Sequence, residues 1–271
     1  MAERMHPNEQ VKQEIAHAVQ KRLDDWQIKE VWFDVDGTLV DTTVHYRQRM
    51  HQAIAWLFYN QPIAEIKRPE QLKIIEDYNQ AFIEKIRANR AQYCVHPDVM
   101  YTALADFVKN CCQFSCQRTK RYQKAVEEIG QIYHGPCPLP LPGAKPKVEI
   151  IGLTQCRVKT ASHSDLSWTI RKIREGEFPE FDGHVTFDTL RSKYHQWQEQ
   201  VEKEKVSPEQ ILIIGDNPTA DFALLENGAR GIWINSRNQQ ISERLLPYLK
   251  SGHLLVVSSP QEVIPALIGY I

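Results

Sequence analysis

From about residue 155 onward the chain alternates short β-rich runs with helical stretches, and this rhythm restricts the fold more than any other feature. "CRVKTA", "HVTFD", "ILIIGD", "GIWIN" and "LLVVSS" read as strands; "SDLSWTIRKIRE", "SKYHQWQEQVEKEK" and "TADFALLENG" read as the helices between them. Parallel neighbours need a long crossover, which a helix supplies. The alternation therefore predicts an α/β fold, a Rossmann-like parallel sheet flanked by helices. "EVWFDV", far upstream, is β-branched and aromatic in the same way and belongs to that sheet.

Residues 44–134 break the rhythm. "YRQRMHQAIAWLFYN", "PEQLKIIEDYNQAFIEKIRANRAQ", "HPDVMYTALADFVKNCCQF" and "RYQKAVEEIGQIY" read as helices almost without interruption. The loop "HGPCPLPLPGAKP" that follows holds five prolines and two glycines and reads as a hinge. The expected organisation is an N-terminal amphipathic helix over 1–28, a core formed by 29–43 and 142–271, and an inserted all-helical cap with its hinge over 44–141. Within the first segment Val11, Ile15, Val19, Leu23 and Trp26 recur at helical spacing, which suits either packing on the body or a homodimer seam.

Composition narrows the partners. A net charge of −1 over 271 residues gives no electrostatic case for nucleic acid or an anionic membrane. No run approaches the ~18 apolar residues of a membrane span, and the charged start lacks the apolar centre of a signal peptide. Six cysteines (Cys94, Cys111, Cys112, Cys116, Cys137, Cys156) show no paired spacing, so a cytoplasmic protein with reduced thiols is expected. Cys112 and Cys116 share a helix face, but without a second ligand pair they read as buried thiols, not a zinc site.

The chemistry gathers at strand ends, where α/β sheets place it. "FDVDGT" puts Asp34 and Asp36 after the first strand, at a spacing that in an extended segment points both the same way, and Gly37 lets the chain turn beside them. "KTAS" ends a second strand with Thr160 and Ser162, "SKYHQW" offers Lys193, and "IIGDNPTAD" supplies Asp216 and Asp221. Asp34, Asp36 and Asp216 converging on one crevice would repel and raise one another's proton affinity unless a hard cation joined them. Oxygen-only ligands at few positions suit Mg²⁺ with a substrate phosphate, and Lys193 and Thr160 supply donors to the oxygens of such an anion. Metal, lysine and hydroxyl together describe a phosphoryl-transfer site.

"DVDGTLVDT", "TAS", Lys193 and "GDNPTAD", in this order, resemble the four motifs of the haloacid dehalogenase-like (HAD) hydrolase superfamily over residues 29–43 and 142–271. The interval from Asp36 to Thr160 far exceeds the ~30 residues of a simple βαβ unit. In this superfamily a helical cap is commonly inserted there. The resemblance implies that Asp34 is the nucleophile forming an aspartyl-phosphate, and that Asp36 is the general acid and then base. It implies Mg²⁺ on the Asp34 carboxylate, the Asp36 main-chain carbonyl and Asp216. Thr160 and the backbone N–H of Ala161 would bind a phosphate oxygen, Lys193 would pair with the nucleophile and the phosphoryl group, and Asp221 would support the site.

Dehalogenases proper lack an acid two residues after the nucleophile, because a halide leaves without a proton, so Asp36 favours phosphate. Tyr194 stands where a proline often follows the motif lysine. Lys159, beside Thr160, should face the opposite side of the sheet.

The reading is a Mg²⁺-dependent phosphatase acting on a small-molecule phosphate ester, with a cap that closes over the site. A phosphomutase and a non-catalytic scaffold of the same fold are the alternatives. His45, Tyr46 and Arg49 are candidates for substrate contact by position. The basic run Arg118, Lys120, Arg121 and Lys124 is either a solvated face or an attractor for an anion.

Overall fold

The computed structural model describes residues 7–88, 120–187 and 193–270. The chain divides into two compact units, one formed by residues 1–41 with 140–271 and the other by residues 42–139.

In the first unit six parallel strands form one sheet: β1 (Glu30–Phe33), β2 (Arg157–Ser162), β3 (Gly183–Thr186), β4 (Ile211–Gly215), β5 (Arg230–Ile234) and β6 (Leu254–Val257), in spatial order β3-β2-β1-β4-β5-β6. The order reverses between β1 and β4, which opens a crevice beyond their carboxyl ends. Register aligns Phe33 with Thr160 on one side and Ile214 on the other.

All four residues of β1 are buried, as expected where helices cover both faces of a parallel sheet. Alternation divides the side chains. Val31, Phe33, Val158, Leu212 and Ile214 face a core shared with α1 (Pro7–Asp25), the helix Ala144–Gly152, and the C-terminal helix Val263–Leu267. Trp32, Ala161, Ile213 and Trp233 face the second core, with Trp197 and Val201 of the helix Lys193–Glu204. Trp32 stacks on Trp197 with ring centroids 5.6 Å apart.

The inward stripe of α1 is Ala16, Val19 and Leu23, all buried against its own core, while Val11 stays 54% exposed. The face considered for a dimer seam is thus largely occupied within the chain.

The regular structure in the second unit's described residues is all helical: α2 (Thr42–Tyr59), a 3₁₀ turn at Ile63–Glu65, α3 (Pro69–Ala88) and α4 (Lys120–His134). Buried Ala125, Ile129 and Ile132 repeat at helical spacing on α4, and Ala53, Ile54 and Leu57 do so on α2. His45 Nε2 lies 3.1 Å from the Ile132 carbonyl, Tyr46 packs on His45, and Arg49 pairs with Glu128. These three candidate substrate contacts therefore have partners inside their own unit. Lys124 pairs with Glu127, and Lys120 and Arg121 are exposed; Cys94, Cys111, Cys112, Cys116 and Arg118 lie outside the described residues.

Two expectations need correcting. The proline-rich loop does not run to 146. It ends at Gly143, and α5 (Ala144–Gly152) follows with Pro146 in its first turn, where a missing N–H costs nothing. "TADFALLENG" is not an α-helix but a turn and a 3₁₀ segment, Ala223–Asn227, closed by Gly228 in the left-handed conformation. The remaining helices are α6 (Leu166–Glu175), α7 (Lys193–Glu204), α8 (Leu246–Lys250) and α9 (Val263–Leu267).

Candidate active site

Asp34 follows β1, and its N–H still donates to the Ile214 carbonyl at 2.9 Å, so the carboxylate projects from the centre of the sheet. The next residues wind tightly: Thr38, Leu39 and Val40 all direct their N–H groups at the Val35 carbonyl. Gly37 makes that turn with φ at +89°, and a Cβ there would also run into the Asp216 carboxylate. Glycine is required on both counts.

Lys193, the first residue of α7, is buried and uses all three ammonium donors. They go to Asp34 Oδ1 at 2.8 Å, Asp221 Oδ1 at 2.6 Å and the Ala161 carbonyl at 3.1 Å. Burial acts to lower its proton affinity, but Asp221 and Asp34 outweigh this and hold it above the ordinary lysine range. Asp221 gives its other oxygen to the Asn217 N–H at 3.0 Å. Asn217 in turn accepts from Thr219 and Ala220 N–H groups, and this fixes the loop after β4.

Asp34, Asp216 and Asp221 place carboxylate oxygens within 4.8 Å of one another. Burial, then Asp221, raises Asp34 well above the usual carboxylate range, and burial with Asp221 raises Asp216 to about 7. One lysine does not balance three acids. Both oxygens of Asp221 are engaged, which leaves Asp34 and Asp216 as the members with an oxygen to offer. Arg237 stands 4.0 Å from Asp216 and, with Lys193, only partly offsets the effect of burial and Asp221 on it. This hard, oxygen-only set fits a Mg²⁺ ion.

The expected trio was Asp34, Asp36 and Asp216, and here the structure differs. Asp221 completes the acid group, whereas the Asp36 side chain turns to a separate partner. Lys172 Nζ lies 2.6 and 2.8 Å from its two oxygens, and Ser164 Oγ donates to Oδ2 at 2.8 Å. The turn that begins at the Val35 carbonyl carries Asp36, whose charge still acts on Asp216 although its hydrogen bonds go to Lys172 and Ser164. Thr160, expected at a phosphate oxygen, is fully buried with its hydroxyl 2.8 Å from Nδ1 of His184, its register partner on β3. Ser162 accepts from the Ser164 N–H. Lys159 faces the other side, where it pairs with Glu204 and Glu30.

Sequence reasoning missed three residues. Lys172 and Ser164 hold Asp36. Lys147, 1% exposed on α5, donates to the Thr38 carbonyl at 3.0 Å and so pins the turn that carries Asp36. The signal lay in helix periodicity. Lys172 falls one turn beyond Trp168 on the buried stripe of α6, and Lys147 interrupts the apolar series Ala144, Val148, Ile151 of α5. A lysine in an inward stripe needs an acceptor.

No family model matches the chain, and no curated protein matches it. Solved structures do. YfnB of Bacillus subtilis, a HAD-type structure bound to magnesium, superposes with a TM-score of 0.60 at 18% identity over 89% of this chain and 98% of its own. A predicted phosphoglycolate phosphatase from Haemophilus somnus gives 0.56 at 14% identity, covering 89% and 98%. L-2-haloacid dehalogenase from Xanthobacter autotrophicus gives 0.57 at 16% identity, covering 90% and 100%. Likeness at such identity speaks for architecture, and it agrees with the six-stranded parallel order and the helical insertion after β1. By its fold, then, the chain is haloacid dehalogenase-like.

Proposed function

We propose that the chain is a HAD-type hydrolase, a magnesium-dependent phosphatase that cleaves a small phosphate ester through an aspartyl-phosphate. The observation that carries the reading is Lys193 joining Asp34 to Asp221 in a group that also contains Asp216. Such a group holds a nucleophilic carboxylate beside a fixed positive charge, at the sheet position where ligands bind.

A carboxylate oxygen of Asp34 attacks phosphorus, the P–O bond to the alcohol breaks, and the leaving oxygen takes a proton from Asp36. Water then attacks the aspartyl-phosphate and gives a proton to Asp36; the bond to Asp34 breaks and phosphate leaves. Lys193 fixes the attacking carboxylate and stands beside the charge that builds on the phosphoryl oxygens. Mg²⁺, held by Asp34, Asp216 and the Asp36 main-chain carbonyl, would neutralise the charge of nucleophile and phosphate.

The haloacid dehalogenases among the structural relatives favour a second reading, attack of Asp34 on carbon with loss of halide. Asp36 speaks against it, since a halide takes no proton on leaving. A phosphomutase would use the same residues and return the phosphoryl group to its substrate.

The test is phosphate release from 4-nitrophenyl phosphate and from a panel of metabolite phosphates, and halide release from 2-haloacids, with Mg²⁺ or chelator. Metal-dependent phosphate release that Asp34→Asn abolishes supports the phosphatase. Halide release by the wild type, or a folded wild type silent on every phosphate, refutes it.

A further inference from the structure

The Asp36 carboxylate is the most heavily braced group near the site that the nucleophile does not touch. Lys172 lies on α6 with no exposure to solvent, and its ammonium has three acceptors: Asp36 Oδ1, Asp36 Oδ2 and Ser164 Oγ, the last at 2.9 Å. Three donors meet three acceptors, so the buried charge is fully satisfied. Ser164, also buried, donates its own O–H to Asp36 Oδ2. The bracing is two-sided in direction: Lys172 fixes the plane of the carboxylate through both oxygens, and Ser164 fixes its tilt through one. Asp36 keeps a quarter of its side chain exposed, so one edge stays open.

We propose that Lys172, with Ser164, is a positioning residue that aims Asp36 at the oxygen of the departing alcohol. This rests on the phosphatase reading, in which Asp36 takes up a proton at its solvent-exposed edge, on a lone pair that Lys172 and Ser164 do not occupy, and passes it to the leaving oxygen as the P–O bond to the alcohol breaks. A proton donor contributes only when held within hydrogen-bond reach of its target, and about 1 Å of misplacement costs on the order of 100-fold. A carboxylate freed of its brace rotates about its side-chain bonds and spends most of its time misaligned. Lys172 touches neither phosphorus nor the leaving oxygen; it acts through Asp36 alone.

Leaving-group chemistry separates this role from a structural one. A 4-nitrophenolate leaves without protonation, whereas an alkoxide does not. The quantity to compare is kcat/KM, which covers only the steps up to alcohol departure and excludes the later hydrolysis of the aspartyl-phosphate.

Lys172→Met is expected to lower kcat/KM for an alkyl phosphate about 100-fold and for 4-nitrophenyl phosphate less than about 5-fold. Ser164→Ala is expected to show the same selectivity at about 10-fold, and carries the test should Lys172→Met fail to fold by circular dichroism. In an Asp36→Asn background Lys172→Met should add no further loss, because the two act as one unit.

Equal losses on both esters, no loss on either, or full additivity with Asp36→Asn would overturn the proposal. A folded wild type inactive on both esters would instead overturn the phosphatase reading on which it rests.

Discussion

Lys147 gives the sharpest stability prediction. Burial holds its ammonium at about 7, against an ordinary value of 10.5, and the charge of Asp34 only partly offsets this. At about 1.4 kcal/mol per tenfold change in proton affinity, the charged side chain costs the fold about 5 kcal/mol. The sign follows from proton counts. Below pH 7 both folded and unfolded chains hold the proton and the cost is complete. Between pH 7 and 10.5 the unfolded chain holds more protons, so stability rises with pH, and the cost disappears above 10.5.

Lys147→Met removes the charge but leaves the Thr38 carbonyl without its donor, a loss of about 2 kcal/mol. The variant should therefore be about 3 kcal/mol more stable than wild type at pH 6, equal to it near pH 9, and about 1 kcal/mol less stable at pH 10. Urea unfolding of both proteins at the three pH values, in chelator, measures the difference, and titrations common to both cancel. A difference that does not change with pH, or a variant already weaker at pH 6, would refute the reasoning.

Other perturbations address the acid group. Because Asp216 binds a proton up to about pH 7, a Mg²⁺ ion there would have to displace it below that; affinity measured by calorimetry should fall about tenfold from pH 8 to pH 6, and the contribution of Asp216 should level off above 8. The same raised value means that the chelated protein loses stability as pH climbs from 3.8 towards 7, and thermal melts should show Mg²⁺ restoring it. Gly37→Ala should cost about 1–3 kcal/mol of stability in urea melts and weaken Mg²⁺ binding, since it strains the turn and displaces the Asp216 carboxylate. Lys193→Met strands Asp34 and Asp221 without their cation, with an expected loss of about 3–5 kcal/mol by urea unfolding and no measurable turnover.

The strands were the most legible part of the chain because a buried parallel strand is written locally, in short runs such as "ILIIG". The glycine and acids of the strand-end turns were legible as local patterns after apolar runs, although which acids group together was not. Helix α5 was hidden because Pro142 and Pro146 signal a break, yet a proline in the first turn of a helix removes only an N–H that has no partner anyway. Side-chain pairings were hidden for a different reason. Nothing near Lys172 in the sequence names Asp36, 136 positions away, as its partner. Thr160 shows the converse: its place on β2 was readable, but the His184 ring that takes up its hydroxyl comes from a neighbouring strand whose register only the fold reveals.

Strand β1 sits between β2 and β4, and that position has a consequence for synthesis. It is made before the other five strands of this sheet, but β4 follows about 180 residues later. At about 5–20 residues per second, that leaves roughly ten to forty seconds in which "EVWF" has no complete set of neighbours. Both its edges are open until β2 has been made and the β4 edge for the rest of the interval, and an apolar strand with an open edge recruits whatever other strand is near. The bridge between Val40 and Pro140, with the Leu141 N–H on the Leu39 carbonyl, ties the two ends of the insertion together once residue 141 has been made. From then on the insertion no longer lengthens the search, because the helical unit has become a closed side loop and β1 waits next to the chain that will complete it.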